Sequence, residues 1–381
     1  MSPTPKEIKT FEEGKPVHPR KIAIIGGGIA GIAFAQRYRQ LGGTVSIHER
    51  GRAQHDQGLG FILLENGLRA LSGIGRRTAV ENLSYPITGC TIRDHRGNDL
   101  LDENLGSVHG ITRSAFLQAL GEGLPESWTR YGQTFSHFEP GPNGQIRRAI
   151  FENGDRVEAD LFLGCDGTNS KVRDEIFPDT KIVDARVIEL VSVVESDLLV
   201  ARSRKRFIKL RHQQGGLALG IVPASSRKLI WYLQFDGEKH LPPKADPASL
   251  EGFIRRLTRG WSGPADQLIK VTDFRRTRIC KTGALEPLDA YFRANIALLG
   301  DAAHALHSFT SQGVNTAIED AVSLAEGLAG SHVSDPQRAL LDYSESRKTT
   351  MRPLLKRGNS LQNEFLAPPT ADQAIPLATT A

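Results

Sequence analysis

Cysteine is scarce in this chain of 381 residues, with three in all, Cys90, Cys165 and Cys280. Three thiols so far apart exclude a disulfide framework and a cysteine-ligated metal cluster, and they point to a reducing, cytoplasmic setting. No apolar run is long enough for a transmembrane helix or a signal peptide. Residues 1–20 alternate charges and prolines and read as a loose leader, and the proline-bearing stretch 366–381 reads as a flexible tail. Basic residues exceed acidic ones, 48 to 43, for a net charge of +5, yet no lysine/arginine block forms a nucleic-acid surface. Short clusters such as Arg202 to Arg206 read as solvated turns. No internal repeat, Ser-His-Asp set, paired carboxylates or metal-ligand spacing stands out, so neither hydrolytic nor metal chemistry is expected. With 39% hydrophobic and 24% charged residues the composition is that of a soluble globular protein, and the length suits two domains sharing one core or one large α/β unit.

What is present begins at Lys21-Ile22-Ala23-Ile24-Ile25-Gly26-Gly27-Gly28-Ile29-Ala30-Gly31. An apolar strand enters a Gly-x-Gly-x-x-Gly turn and a helical pattern leaves it. Gly26 permits the tight turn, Gly28 admits a pyrophosphate against the backbone, and Gly31 lets helix and strand pack closely. The next strand ends in Glu49, an acid suited to adenosine ribose hydroxyls and repulsive to a 2′-phosphate, with Arg50 beside it in the cofactor-contacting set. Two later segments carry further signal. One is Gly164-Cys165-Asp166-Gly167-Thr168-Asn169-Ser170-Lys171-Val172-Arg173. The other is Leu298-Leu299-Gly300-Asp301-Ala302-Ala303-His304, running on to Gln312-Gly313-Val314-Asn315. There a buried strand turns sharply and a helix starts, offering free N–H groups and a positive dipole end to an anion.

These three segments, in this order, resemble the class A FAD-dependent monooxygenases, the para-hydroxybenzoate hydroxylase-like aromatic hydroxylases; the resemblance spans residues 21–347. Cys165 replaces the family's usual alanine, and Phe116 replaces leucine in the helix headed by Arg113. The resemblance implies a Rossmann-like FAD-binding domain of glutathione-reductase-type topology with an interleaved β-rich substrate domain. It assigns FAD contacts to Asp166, Arg113, Asp301 and the amides of Gly313, Val314 and Asn315. It also implies a reaction in which NADH or NADPH reduces FAD and dioxygen then forms a flavin C4a-hydroperoxide that hydroxylates a small aromatic substrate. His304 is expected to serve a structural hydrogen bond, whereas His307, Ser308 and Phe309 lie beside the flavin. Ser308 stands where proline is usual and Ser311 where glycine is common, and serine at 308 is expected to loosen the loop.

The FAD-binding domain is expected in three pieces, 21–83, 105–182 and 281–365, and the substrate domain in two, 84–104 and 183–280. Within the latter, strands are expected over 187–194, 206–210, 217–221, 229–235 and 271–280, and a helix over 248–257. Alternate side chains of the 229–235 strand share a face, and Trp231 and Leu233, with Phe309, are the expected pocket residues. Three alternatives stay open: a flavin-dependent halogenase, a prenyl-chain reductase of the same superfamily, or a non-catalytic flavin-binding protein. The wide spacing of Trp128, Trp231 and Trp261 disfavours a tryptophan-type halogenase.

Overall fold

Ile22–Ile25 is an unbroken apolar run, and such a strand is satisfied only inside a parallel sheet covered on both faces. In the computed structural model, which describes residues 20–51, 59–183, 186–281, 283–330 and 336–370, it lies in that position. It pairs in parallel with Val45–Glu49 on one side and Leu161–Gly164 on the other. The latter pairs in parallel with Ile296–Leu298. Phe292–Arg293 and Thr129–Tyr131 close the edges of this six-stranded sheet. Helices Ile29–Gln40 and Gly313–Ala329 pack against each other over it. Their closeness depends on Gly300, where φ is +59° and a Cβ would stand 3.2 Å from the Cβ atoms of both Ala30 and Ala317.

The second sheet has eight strands. Their order is Arg278–Lys281, Val187–Glu195, Lys228–Asp236, Leu217–Pro223, Arg206–Arg211, Tyr85–Asp94, Asp99–Thr112 and Gly60–Leu63. Helices Pro247–Leu257 and Ala265–Val271 cover one face, placing Leu250, Phe253, Ile254, Leu268 and Ile269 against Leu229, Trp231, Leu233 and Phe235. The α/β class expected from the sequence is the one that forms. No helix among the described residues is long and apolar enough to cross a membrane.

Several local expectations are corrected. The strand expected over 271–280 exists only as Arg278–Lys281. The helix Ala265–Val271 precedes it, and the Asp273 side chain accepts from Arg275 N, a local turn that competes with extended pairing. The domain boundary drawn at 104/105 falls inside the continuous strand Asp99–Thr112. The tail expected to loosen at 366 is held at its start. Helix Pro336–Leu366 runs through, and Arg211 donates to the carbonyls of Glu364 and Ala367. Residues 1–19 of the leader and 371–381 of the tail lie outside the described residues.

Candidate functional site

The three glycine-bearing segments converge through backbone hydrogen bonds. Gly26 N donates to His48 O at 2.8 Å, Cys165 N to Ile25 O at 2.7 Å, and Leu299 N to Gly164 O at 3.0 Å. Gly26 has φ +108°, and a Cβ there would lie 2.3 Å from Cys165 O, so only glycine fits the crossing. A Cβ on Gly31 would meet Gly26 O at 2.4 Å, so Gly31 serves the strand–helix packing. Gly28 differs, since a Cβ there would find only ordinary contacts, at 3.8 Å from Cys165 O and 3.9 Å from an Arg113 guanidinium nitrogen. The space it leaves open is cavity.

Two cavities share Gly28 and Arg113 as lining residues. One, of about 530 Å³, is bordered by Gly27, Glu49, Leu117, Thr129 and Tyr131. The other, of about 360 Å³, is bordered by Asp301, Gly313 and Val314 together with residues of the eight-stranded sheet. At their junction the Arg113 guanidinium makes no hydrogen bond among the described residues. Burial pushes its pKa down, while the charges of Asp301 and Glu49 pull the other way. A half-buried cation without a hydrogen-bonded partner at the seam of two cavities is a fit for the phosphates of a dinucleotide. Glu49 borders the larger cavity, and its carboxylate accepts from Gly27 N and Gly51 N, both at 2.7 Å. Helix Gly313–Ala329 starts at the smaller cavity, so its first amides and positive dipole end face that space, an arrangement that suits an anionic group. These residues fit bound FAD.

Three of the expected contact residues border neither cavity. The Asp166 carboxylate accepts from Ser170 Oγ at 2.5 Å and Val172 N at 3.2 Å, so it shapes the start of helix Lys171–Ile176. Its neighbours Cys165 and Gly167 reach the cavity. Burial raises the Asp166 pKa against those bonds. The Asn315 side chain is engaged within the protein, with Oδ1 accepting from Leu64 N and Nδ2 donating to Ile62 O and Ser311 O, which leaves the expectation for its backbone amide untouched. Arg50 is exposed and borders neither cavity.

Behind the turn lies a buried clamp. His304 Nε2 lies 2.7 Å from Asp320 Oδ2, which also accepts from Gly300 N at 2.7 Å. Arg347 stands 3.5 Å from the other Asp320 oxygen, and Tyr343 Oη donates to Leu298 O at 2.8 Å. Burial acts to lower the His304 pKa, but Asp320 overrides it and the net shift is upward. Burial likewise acts to raise Asp320, and His304 brings it down. His304 thus holds the turn, as expected, and does not border the cavity.

His307, Ser308 and Phe309 do border it. His307 Nε2 lies 2.9 Å from Asn359 Oδ1. The loosening expected of Ser308 is corrected, because its Oγ donates to Glu189 Oε1 at 2.5 Å and ties the loop to the sheet. Trp231 and Leu233 are corrected too. They point into the core beneath the two covering helices, where Trp231 Nε1 donates to Thr272 Oγ1 at 3.0 Å. The opposite face of the same strand, Ile230, Tyr232 and Gln234, lines the cavity with Glu189, Val191 and Lys209. The missed signal is a polar residue set between two apolar neighbours in each of three strands: Glu189, Lys209 and Gln234. All three are buried.

Residues 20–357 match the FAD binding domain family. The chain is 26% identical over 367 residues to 3-amino-4-hydroxybenzoate 2-monooxygenase PtnB3 of Streptomyces platensis, covering 92% of this chain and 90% of that protein. It is 25% identical to an FAD-dependent urate hydroxylase of Mycolicibacterium vanbaalenii, covering 88% and 86%. Among solved structures, Klebsiella pneumoniae HpxO complexed with FAD and uric acid superposes with a TM-score of 0.83 at 21% identity. That match covers 91% of this chain and 89% of the other.

Proposed function

Because the chain belongs to the FAD-binding domain family and is an FAD-dependent monooxygenase, we propose that it hydroxylates a small aromatic or heteroaromatic substrate with NADH or NADPH and dioxygen. The observation carrying this reading is the join between the cavities at Gly28 and Arg113. A dinucleotide gripped there places its ring in the compartment of about 360 Å³, beside the sheet face that carries Tyr232 and Gln234, where a small planar molecule can meet it. Relatives named for urate and 3-amino-4-hydroxybenzoate support the substrate class. The chemistry supplied by bound FAD is two-electron reduction by the nicotinamide, then activation of dioxygen for oxygen insertion.

The protein's own part is to bind, orient and exclude water. Arg113 meets phosphate oxygens, Glu49 takes ribose hydroxyls, and Asp301 takes a hydroxyl of the linking chain. The first amides at Gly313 and Val314 stabilise negative charge on the reduced ring, at about 0.3–1 kcal/mol for an exposed helix end and about 2 when partly buried. The nicotinamide approaches over the surface, and the protein works in a reducing cytoplasm. The test is a screen of phenols and nitrogen heterocycles for stimulated NAD(P)H oxidation by the FAD-loaded protein, with mass spectrometry of products. Gain of one oxygen atom, labelled from ¹⁸O₂, is the expected result; stimulated oxidation that yields only hydrogen peroxide with every compound overturns it.

A further inference from the structure

Four side chains on the border of the smaller cavity form one hydrogen-bonded line. Lys209 Nζ donates to Gln234 Oε1 at 2.8 Å, and Gln234 Nε2 donates to Glu189 Oε1 at 2.6 Å. Ser308 Oγ donates to that same carboxylate oxygen. Lys209 reaches across the sheet because the strand between holds small residues. The register runs Lys209–Gly220–Tyr232 in one row and Arg211–Ala218–Gln234–Glu189 in the next.

Both charged members of the line have unused capacity. An ammonium has three donors, and among the described residues Gln234 is the only hydrogen-bond acceptor for Lys209. Its other neighbours are the rings of Phe309, Phe365 and Tyr232, with centroids 5.4, 5.6 and 5.9 Å away. Such rings favour a cation without accepting ordinary hydrogen bonds. Glu189 Oε1 takes two bonds, whereas its Oε2 accepts none among the described residues. The Gln234 amide keeps the two charges apart, so they do not cancel in direct contact.

Resting on the proposed function for its placement of substrate, we propose that Lys209 and Glu189 read two groups on one planar ring. Lys209 holds an ionised ring oxygen, and Glu189 Oε2 accepts a hydrogen bond from an O–H or N–H on the same ring. The preferred substrate is therefore an arene or heteroarene with an acidic hydroxyl beside a second donor. On binding, the hydroxyl proton leaves to water and its electron pair stays on the ring oxygen. A neutral ring gives the ammonium no negative atom in contact, and a ring lacking the donor leaves Glu189 Oε2 dry and unbonded.

The test is an anaerobic titration of the FAD-loaded protein with 4-nitrocatechol and 4-nitrophenol, whose ionisation is visible in their absorbance. The buffer is set below the pH at which the free probes ionise. Wild-type protein is expected to bind 4-nitrocatechol as its red-shifted anion, roughly tenfold or more tighter than 4-nitrophenol, as for a charge-assisted bond. Lys209→Met removes the red shift, Lys209→Arg retains it, and Glu189→Gln removes the preference between the probes. FAD content and circular dichroism establish that each variant is folded. If the variants fail to fold, the wild-type spectrum still decides. Bound probe that stays un-ionised, no binding of either probe, or binding unchanged in Lys209→Met overturns the proposal. Oxygen incorporation that proceeds without probe ionisation sinks this anchor alone. Ionised bound probe with no substrate-stimulated oxygen incorporation sinks the hydroxylase reading alone.

Discussion

The proposed nucleotide end of the paired cavities and the proposed substrate end are built from different materials. At the nucleotide end the working surface is largely backbone: glycine turns, strand termini and a helix start, with Arg113 and Glu49 as the charged additions. At the substrate end it is side chains standing on one face of a sheet, joined by hydrogen bonds that span three strands and a loop. Backbone sites tolerate almost no change in shape, because their atoms already touch. Side-chain sites tolerate exchange of residues at constant fold, and this is where one member of a family can differ from another.

The sharpest attack on this contrast compares Gly26 with Gly28. Gly26→Val drives a side chain into Cys165 O at a positive φ, so FAD content should fall to roughly a tenth or less, with loss of soluble protein. Gly28→Val meets no such obstacle in the protein and should fold normally while losing flavin. The check is the ratio of flavin to protein absorbance beside circular dichroism. Equal folding defects in both would erase the distinction between packing and binding glycines.

Next in size is the clamp behind the turn. Asp320→Asn leaves His304 buried without its counter-charge and should cost about 3–5 kcal/mol, read from urea unfolding. The pH dependence follows from the two shifts. His304 is raised in the folded state, so its contribution is complete below its unfolded pKa and fades as pH climbs through the folded one. Asp320 is lowered, so its contribution is complete above its unfolded pKa and fades as pH drops through the folded one. Both are complete between roughly pH 4 and 6.5, the ordinary values of the two side chains. The stability gap between wild type and Asp320→Asn should narrow on either side of that window. A gap independent of pH would mean that the pair is not ionised.

A smaller effect is expected at Ser308→Ala. Removing a hydrogen bond to a carboxylate, about 1.5–3 kcal/mol when intact, frees the loop from Glu189 and should raise the share of NAD(P)H oxidised to hydrogen peroxide. FAD content should not change. Peroxide yield equal to wild type would show that the tie between loop and sheet is idle. Smallest is Trp231→Phe, in the core behind the cavity face. It should lose about 1 kcal/mol of stability through the Thr272 bond and leave substrate affinity untouched. A shift in affinity would reverse the assignment of faces on the Lys228–Asp236 strand.

The same contrast accounts for what could be read from the chain before folding. Gly26, Gly28, Gly31, Glu49, Arg113, Asp301 and Gly313 stand out because a turn, a close approach or a helix start demands a particular residue at a fixed offset. Asp166 and Asn315 belong to the same segments, yet their side chains serve the turns and not the cavity. Sequence offset locates a segment without telling which way each side chain points.

The apolar strands, the glycine turns and the helix start at Gln312 therefore follow from local sequence, since local sterics and hydrogen bonding dictate them. Strand alternation separates Trp231 from Gln234 but cannot say which face meets the cavity. That choice was made when helices Pro247–Leu257 and Ala265–Val271 buried the tryptophan face in an apolar core. Lys209, Gln234 and Glu189 met on the other face, from strands tens of residues apart in the chain. Only the sheet register and the small Ala218 and Gly220 between them brought these groups within hydrogen-bonding reach.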